Sequence, residues 1–361
     1  MNRHVYVIAE AGVNHNGSLE LAKRLIDVAA DAKADAVKFQ TFRAEMEISQ
    51  FAKKAAYQIT NTGSAESQLE MVRKLELGVE EHRQLIEHAR RRSIDFLSTP
   101  FDLGSLSVLA DVFRLPKIKM ASGEITNLPL LLAAGRTRTP LIVSTGMSTL
   151  GEIERALAVL AFTYTTHPNE RPTELAMAAA YRSEAGQRAL WEKVALLHCT
   201  TEYPAPPCDV NLNAMTTMRT AFGLPVGYSD HTQGIHISIA AVAAGATIIE
   251  KHVTLNRAML GPDHIASLEP RELAEMVRAI RNVECALGNG LKIPAPSEVK
   301  NIAVARKSLV AAQDIPKGTL FNAENLTTKR PGTGVCAMHF DEFLGHPALR
   351  DYQADELIDG Y

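Results

Sequence analysis

The strongest constraint on the fold is a regular alternation along the chain between short apolar runs and longer segments with helical periodicity. The apolar runs are rich in β-branched residues and short, which is typical of buried strands. They span residues 5–12, 35–41, 94–99, 117–122, 140–146, 193–200, 225–230 and 246–252. Helical periodicity is clearest over residues 19–32, 150–162 and 271–287. Eight such units predict an α/β fold, a parallel (β/α)₈ TIM barrel whose strands are buried on both faces.

A doubly wound parallel sheet is the alternative architecture for the same alternation. Such a sheet normally carries a glycine-rich phosphate loop of the form GxGxxG after its first strand. The corresponding segment here, AEAGVNHNG at residues 9–17, does not have that form. The sequence therefore favours the barrel.

The chain divides by composition into a barrel, a linker and a small module. The βα units occupy residues 1–288, and the Gly-, Pro- and Ser-containing segment 289–300 is typical of a linker. Residues 301–361 have short apolar runs broken by turn signals, which predicts a compact module too small for a large core of its own. Two long connections, residues 42–78 and 163–192, interrupt the barrel pattern, and long rim loops commonly form substrate walls or lids.

Composition and charge exclude several classes of partner. The net charge is -3 and no Lys/Arg run is present, so we expect neither nucleic acid nor an anionic membrane as a partner. The apolar runs are too short to span a bilayer, and residues 1–10 lack the pattern of a secretory leader. The four cysteines show no paired spacing, so we expect a cytoplasmic protein with reduced thiols.

Polar side chains cluster where the predicted strands end. The active sites of barrels are built at the carboxyl ends of the strands, and strands from all around the ring contribute. The polar residues at these ends are Glu10, Lys38, Gln40, Thr99, Lys119, Ser122, Glu124, Ser144, Thr145, Thr200, Thr201, Ser229, His231, Lys251 and His252. We therefore expect one site that draws on every strand.

Two histidines follow the seventh and eighth predicted strands. His231 and His252 would lie on the same stretch of the rim, where two neutral imidazoles can hold a divalent ion. Alternatively, one of them is a general base, or both only donate and accept hydrogen bonds in the rim. The spacing alone leaves these possibilities open.

Two lysines interrupt otherwise apolar strands. Lys38 and Lys119 require anionic partners, because an unpaired buried charge is costly. Together with the hydroxyls of Thr99, Ser122, Ser144 and Ser229 they form a plausible cradle for a phosphate and a carboxylate. The alternative is an internal ion pair with Glu10, Glu124 or Glu250.

Three carboxylates and an aromatic ring complete the candidate site. Glu10, Glu124 and Asp263 could move protons or hold sugar hydroxyls. Tyr203, in a proline-rich turn, could face a sugar ring or simply pack the turn.

Motifs along almost the whole chain resemble the N-acetylneuraminate (sialic acid) synthase family, including its legionaminic acid branch. The matching strings in the barrel are AEAGVNHNGS (9–18), VKFQTF (37–42), STPFD (98–102), KMASGEITNLP (119–129), VSTGM (143–147), LLHCTTEYPAP (196–206), GYSDHT (227–232), IEKHVTL (249–255) and GPDH (261–264). In the module, ARKSLVAA (305–312), IPKGT (315–319) and TTKRPGTG (327–334) resemble the antifreeze-like (SAF) domain.

The resemblance implies roles for individual residues. It implies that His231 and His252 bind Mn²⁺, or alternatively Mg²⁺ or Co²⁺. Lys38, Thr99, Lys119, Ser122, Ser144 and Ser229 would hold phosphoenolpyruvate, while Gln40, Tyr203, Glu124 and Asp263 would lie along an acceptor sugar. Glu10, Glu124, Asp263 and Arg330 form the predicted catalytic set, with Glu124 the first candidate for guiding water.

The resemblance also implies an assembly and has two departures. Arg330 would reach from the module of one subunit into the barrel of its partner, in a domain-swapped homodimer. Thr201 stands where some relatives carry an asparagine on the phosphate side. We expect Thr201 to contact the substrate in its place. Asn16 stands where some relatives carry an acidic residue.

The implied reaction condenses phosphoenolpyruvate with an N-acylated aldose and releases phosphate by C–O cleavage. N-acetylmannosamine would give N-acetylneuraminate, whereas a 2,4-diacetamido-2,4,6-trideoxyhexose would give legionaminate or pseudaminate. A synthase of a seven- or eight-carbon keto acid is a further alternative, which the antifreeze-like module disfavours. A non-catalytic sugar-binding protein is the alternative from another class.

Overall fold

A computed structural model describes residues 4–63 and 65–360 of the chain. The chain forms two compact units, Met1–Asn289 and Gly290–Tyr361. No helix in the described ranges is both long enough and apolar enough to cross a membrane.

The first unit is built on a ring of parallel strands. Its strands are β1 (Tyr6–Gly12), β2 (Ala36–Thr41), β3 (Asp95–Pro100), β4 (Ile118–Met120), β5 (Leu141–Ser144), β6 (Val194–Cys199), β7 (Val226–Asp230) and β8 (Ile248–His252). Neighbours follow chain order, and β1 also pairs with β8 in parallel, with Glu10 opposite His252. The remaining seam brings β3 beside β4. This order confirms the predicted (β/α)₈ barrel and excludes the doubly wound sheet, because the first and last strands pair.

Helices surround the ring and fill its longer connections. They are α1 (Leu19–Asp31), α2 (Ala44–Glu47), α3 (Ala56–Thr62), α4 (Gln68–Arg73), α5 (Val79–Arg91), α6 (Leu103–Ser107), α7 (Leu128–Arg136), α8 (Leu150–Thr165), α9 (Glu174–Arg182), α10 (Glu184–Lys193), α11 (Asn213–Phe222), α12 (His236–Ala243) and α13 (Pro270–Leu287). The three helices predicted from periodicity correspond to α1, α8 and α13. Helix α8 begins at an N-cap, where the Thr149 hydroxyl accepts from the backbone N–H of Glu152.

An apolar layer fills the interior of the ring. It consists of Ile8, Ala36, Leu97, Ile142, Leu197 and Ile248, one residue from each of six strands. Gly227 of β7 stands at the same level, where a Cβ would lie 2.4 Å from the backbone oxygen of Ile248. Because side chains alternate along a strand, the residue two positions further on each strand faces the same interior. The apolar layer therefore determines which side chains form the next layer up.

The insertion at residues 42–78 contains α2, α3 and α4. It is fastened to the loop after β8, because the side-chain amide of Asn61 donates to the backbone oxygen of Pro262 at 2.7 Å. It also packs closely against the loop after β1. A Cβ on Gly17 of that loop would lie only 2.4 Å from the backbone oxygen of Lys74.

The second unit has its own small core. It contains α14 (Pro296–Ala305), an antiparallel pair β9 (Ser308–Ala311) and β10 (Leu326–Lys329), and α15 (Phe340–Phe343). Phe321, Phe343, Tyr352 and Leu309 are among its buried residues. Helix α14 begins within the segment 289–300 that the sequence assigns to a linker.

Candidate active site

The layer above the apolar one is polar and charged. Two residues beyond Ile8, Ala36, Leu97, Ile142, Gly227 and Ile248 on their strands stand Glu10, Lys38, Thr99, Ser144, Ser229 and Glu250. Lys119 of β4 joins them, and each of the four charged residues is at most 4% exposed. The two-residue period of the strands thus places a charged cluster directly above the apolar layer.

The charged cluster is connected by short contacts. The Lys38 ammonium lies 2.8 Å from the Glu10 carboxylate and donates to the Thr99 hydroxyl at 3.0 Å. The Lys119 ammonium donates to the Ser144 hydroxyl at 2.6 Å. Glu250 lies between the lysines, 3.7 Å from Lys38 and 3.6 Å from Lys119. The internal lysine–glutamate pairs that the sequence left open are therefore present, with Glu10 and Glu250.

The pKa of Glu10 and the pKa of Glu250 are shifted in opposite directions. Burial raises the pKa of Glu10, the Glu250 carboxylate adds to the rise, and Lys38 opposes it. Burial opposes ionisation of Glu250 too, but the ammonium groups of Lys119 and Lys38 lower its pKa. Burial lowers the pKa of Lys119. The two lysines and the hydroxyls that they contact offer hydrogen-bond donors to an anion in the cavity.

The histidine pair lies beside this cluster. The ring centroids of His231 and His252 are 5.5 Å apart. His231 donates from Nδ1 to the backbone oxygen of Thr200 at 2.6 Å, which leaves the lone pair on Nε2. His252 Nδ1 is buried, has no hydrogen-bond partner in the part of the chain that the structure describes, and lies 3.8 Å from the Asp263 carboxylate.

Both histidines are held in the neutral form. Burial lowers the pKa of His231 to about 4 and places the pKa of His252 well below its ordinary value. Neutral imidazoles with available lone pairs are metal ligands, so these two residues fit a divalent ion. In the ranges the structure describes, no group of three or more His, Cys, Asp and Glu side chains forms a metal site.

A second ion pair lies on the other face of the same two strands. Asp230 and Lys251 are fully buried, with their charged atoms 3.1 Å apart. Asp230 also accepts from the Thr232 backbone and hydroxyl and from the Ser238 hydroxyl. Since His231 and His252 each directly follow one member of this pair, the pair fixes the strand ends from which both imidazoles project.

Small polar groups converge on the side of β5 and β6. The backbone N–H of Gly146 donates to the Ser122 hydroxyl at 2.9 Å, and the Cys199 sulfur lies 3.1 Å from the same oxygen. A Cβ at Gly146 would lie 2.3 Å from the Thr201 hydroxyl, so only glycine permits this convergence. The Thr201 hydroxyl is buried and has no hydrogen-bond partner among the described residues, and it faces the cavity.

Aromatic and acidic groups stand above the histidines. The Tyr203 ring lies 4.1 Å from that of His231 and 5.6 Å from that of His252. Burial raises the pKa of Asp263 to about 6. Both residues, with Gln40, line the mouth of the same cavity.

One cavity of about 300 Å³ unites most of the residues predicted from the sequence. Its walls include Glu10, Lys38, Gln40, Thr99, Lys119, Ser122, Ser144, Thr201, Tyr203, Ser229, His231, His252 and Asp263.

Two predicted site residues are not brought to this cavity. Glu124 is not among its lining residues. The Glu124 carboxylate accepts from the Asn127 amide at 2.6 Å. Arg330 belongs to the second unit, where it donates to the backbone oxygen of Ala305 at 3.0 Å.

The cavity also has lining residues that the sequence analysis did not assign to the site. They include Glu250, Cys199 and, from the insertion, Phe42, Glu47, Ile48, Gln58, Gln68, Met71, Val72 and Leu75. Glu250 could have been found from its position two residues before His252 on the same strand. The insertion residues carry no such periodic signal.

Comparison with known proteins agrees with this architecture. Residues 25–292 match the NeuB family and residues 306–360 match the SAF domain. An N,N'-diacetyllegionaminic acid synthase of Campylobacter jejuni is 53% identical over 98% of both chains. One from Legionella pneumophila is 41% identical over 94% of this chain and 89% of its own. A crystal structure of N-acetylneuraminic acid synthetase from Leptospira borgpetersenii is 35% identical over 83% of this chain and 91% of its own, with a TM-score of 0.67.

The chain belongs to the NeuB family, and it carries a C-terminal SAF domain. The resemblance read from the motifs is thereby confirmed.

The buried pair Asp230–Lys251 generates a stability prediction. Asp230→Asn keeps the side-chain shape but leaves the buried Lys251 ammonium without its carboxylate partner. We therefore expect the free energy of unfolding to fall by about 3–5 kcal/mol. Adding Lys251→Met should recover part of this loss, because the stranded charge is removed. Urea denaturation followed by circular dichroism measures both variants.

The matched control is Glu87→Gln, which breaks an exposed pair with Arg90 and should cost at most about 1 kcal/mol. If Asp230→Asn costs no more than this control, the buried pair does not stabilise the strand ends.

Proposed function

We propose that this protein is a nonulosonic acid synthase that joins phosphoenolpyruvate to an N-acylated aldose and releases inorganic phosphate. The observation that carries the proposal is a single cavity with two buried lysines at its base and two neutral histidines beside them, in a NeuB-family chain. A protein that only bound a sugar would have no evident need for this combination.

The lysine cluster is the proposed site for phosphoenolpyruvate. Lys38 and Lys119 supply positive charge, and hydroxyls surround them on neighbouring strand ends. The Thr201 hydroxyl, which has no partner among the described residues, is a donor available to the substrate. A phosphate and a carboxylate on one small molecule match this arrangement of donors.

His231 and His252 are the proposed ligands of a divalent ion, Mn²⁺ first and Mg²⁺ or Co²⁺ as alternatives. Their neutral state and the unpartnered Nδ1 of His252 support this assignment. When bound, the ion would act as a Lewis acid toward the carbonyl oxygen of the acceptor aldehyde.

The residues of the chain define the rest of the proposed mechanism. Carbon 3 of phosphoenolpyruvate forms a bond to the aldehyde carbon, and water adds at carbon 2. The resulting tetrahedral intermediate expels phosphate by C–O cleavage and leaves a 2-keto acid. Lys38 and Lys119 stabilise the phosphate charge throughout. Glu124, the first candidate from the sequence, and Glu10, which lines the cavity, are the proposed carboxyls that handle the proton of the attacking water.

The acceptor is proposed to be a 2,4-diacetamido-2,4,6-trideoxyhexose. Two legionaminic acid synthases at 53% and 41% identity support this choice. N-acetylmannosamine is the second candidate, supported by the 35% identical N-acetylneuraminic acid synthetase. The proposal places the reaction in the cytoplasm.

We also propose a homodimer in which the SAF domain of one subunit completes the site of its partner through Arg330. The support is the family resemblance around KRPG (329–332) and the presence of a separate C-terminal unit.

The function is tested by phosphate release from phosphoenolpyruvate. With Mn²⁺ and 2,4-diacetamido-2,4,6-trideoxymannose we expect rapid release and a nine-carbon keto acid in the mass spectrum. A chelator should abolish release, because the metal activates the aldehyde. N-acetylmannosamine should react more slowly.

The control is His252→Ala, which should match the chelated enzyme. Release with N-acetylmannosamine alone would assign the sialic branch instead. No release with either sugar would contradict the synthase proposal.

The swapped dimer is tested by mixing two inactive variants. Arg330→Ala removes the contribution of the SAF domain, and His252→Ala removes that of the barrel. In a swapped heterodimer, one of the two sites receives an intact barrel and an intact SAF domain, so the isolated heterodimer should regain about half of the wild-type activity. Co-expression with two different affinity tags isolates the heterodimer.

Each variant purified alone is the control. An inactive heterodimer would show that Arg330 does not act across the subunit boundary, provided that each variant alone is folded and inactive.

A further inference from the structure

Part of the lining of the active-site cavity is apolar. It consists of Val13, Phe42, Ile48, Met71, Val72, Leu75 and Phe101, and the insertion also contributes the polar residues Glu47, Gln58 and Gln68 to the lining. Val13, Phe42 and Leu75 are buried and pack together, with Val72 and Phe101 against them. The apolar wall, as we call these seven residues, comes from the loop after β1, the segments just beyond β2 and β3, and the insertion at residues 42–78.

The apolar wall lies at the outer end of the cavity. On β2 and just beyond it, Lys38, Gln40 and Phe42 all line the cavity at two-residue intervals, and Thr99 and Phe101 do so on β3. Each interval advances about 6.6 Å along a strand. Phe42 is therefore one interval beyond Gln40 and two beyond Lys38, and Phe101 is one interval beyond Thr99.

The position of the apolar wall corresponds to the end of the acceptor that carries carbon 6. Carbon 1 of the sugar must meet carbon 3 of phosphoenolpyruvate, so carbon 6 is the end of the acceptor chain farthest from the lysines. A methyl group at that end gains from contact with apolar side chains. A hydroxyl at the same place loses its hydrogen bonds to water.

The apolar wall is held in place before any substrate arrives. The Phe42 and Phe101 rings meet edge to face at 6.3 Å. The insertion is fastened at Asn61 to Pro262, and the Glu76 carboxylate accepts from the backbone N–H of Ala44 at 2.7 Å. Such preorganisation lets a single methyl group affect specificity.

We propose that the apolar wall receives the methyl group at carbon 6 of the acceptor and thereby selects 6-deoxy sugars over 6-hydroxy sugars. This inference rests on the proposed synthase function. It assigns selection at carbon 6 to the apolar wall, most of which lies in the insertion at residues 42–78.

The test uses two acceptors that differ only at carbon 6. They are 2,4-diacetamido-2,4,6-trideoxymannose and its 6-hydroxy counterpart, 2,4-diacetamido-2,4-dideoxymannose. For the wild-type chain with Mn²⁺ we expect kcat/KM to favour the deoxy sugar by about 10- to 100-fold, the range over which an apolar pocket discriminates such pairs. A ratio near one would overturn the inference, while turnover of either sugar would leave the synthase proposal intact.

Variants of the wall test the residues directly. Val72→Thr is nearly isosteric and adds a hydroxyl, so the ratio should fall by about 2- to 10-fold, the effect of one hydrogen bond. Met71→Gln is a second variant of similar shape and should change the ratio in the same direction. Val72→Ile is the matched apolar control and should keep the preference.

Thermal unfolding checks that each variant is folded. An unchanged ratio in both polar variants would show that the apolar wall does not contact carbon 6. Absence of turnover with any acceptor, in the wild-type chain, would instead contradict the proposed function.

Discussion

The structure depends on one buried cluster of charges at the centre of the barrel. Lys38 and Lys119 are almost completely removed from water, which is tolerable only because Glu10 and Glu250 lie within 3.7 Å of them. Burial raises the pKa of Glu10, which weakens the ability of this carboxyl to balance the charge of the lysines. An apolar layer seals the base of the cluster, so an anionic substrate can enter from the rim alone. The position of the site and the anion binding that we propose there both follow from this placement.

The period of a strand explains why so much was predictable. Once the eight strands are located, alternation decides which residues face the interior, and Lys38, Thr99, Ser144 and Ser229 follow directly. The SAF domain and the family were recognisable from local motifs. Glu124 was placed in the catalytic set by resemblance, and that role stays a prediction. The apolar wall could not be predicted, because Val72 and Leu75 reach Val13 and Phe42 only through the fold of a long insertion.

The site separates two tasks between two kinds of structure. Hydrogen-bonded strands hold the lysines, the hydroxyls and the histidines, so the groups that would bind phosphoenolpyruvate and a metal are rigidly placed. The buried pair Asp230–Lys251 reinforces the histidine-bearing ends. Connecting segments supply the walls that would meet the acceptor, and such segments can vary without disturbing the ring. Acceptor choice within the family can therefore change while the chemistry at the base of the barrel stays constant.

The most direct test of the account is the affinity of phosphoenolpyruvate for the full-length chain, measured by isothermal titration without an acceptor. The comparison is between Lys119→Met and Lys117→Met, two lysines two residues apart, of which Lys117 is 38% exposed and lies outside the cavity. Loss of a charged hydrogen bond predicts that Lys119→Met weakens binding by about 10- to 100-fold, while Lys117→Met leaves it unchanged. Equal affinity in the wild-type chain and a folded Lys119→Met variant would contradict the claim that the buried lysine cluster binds the phosphate.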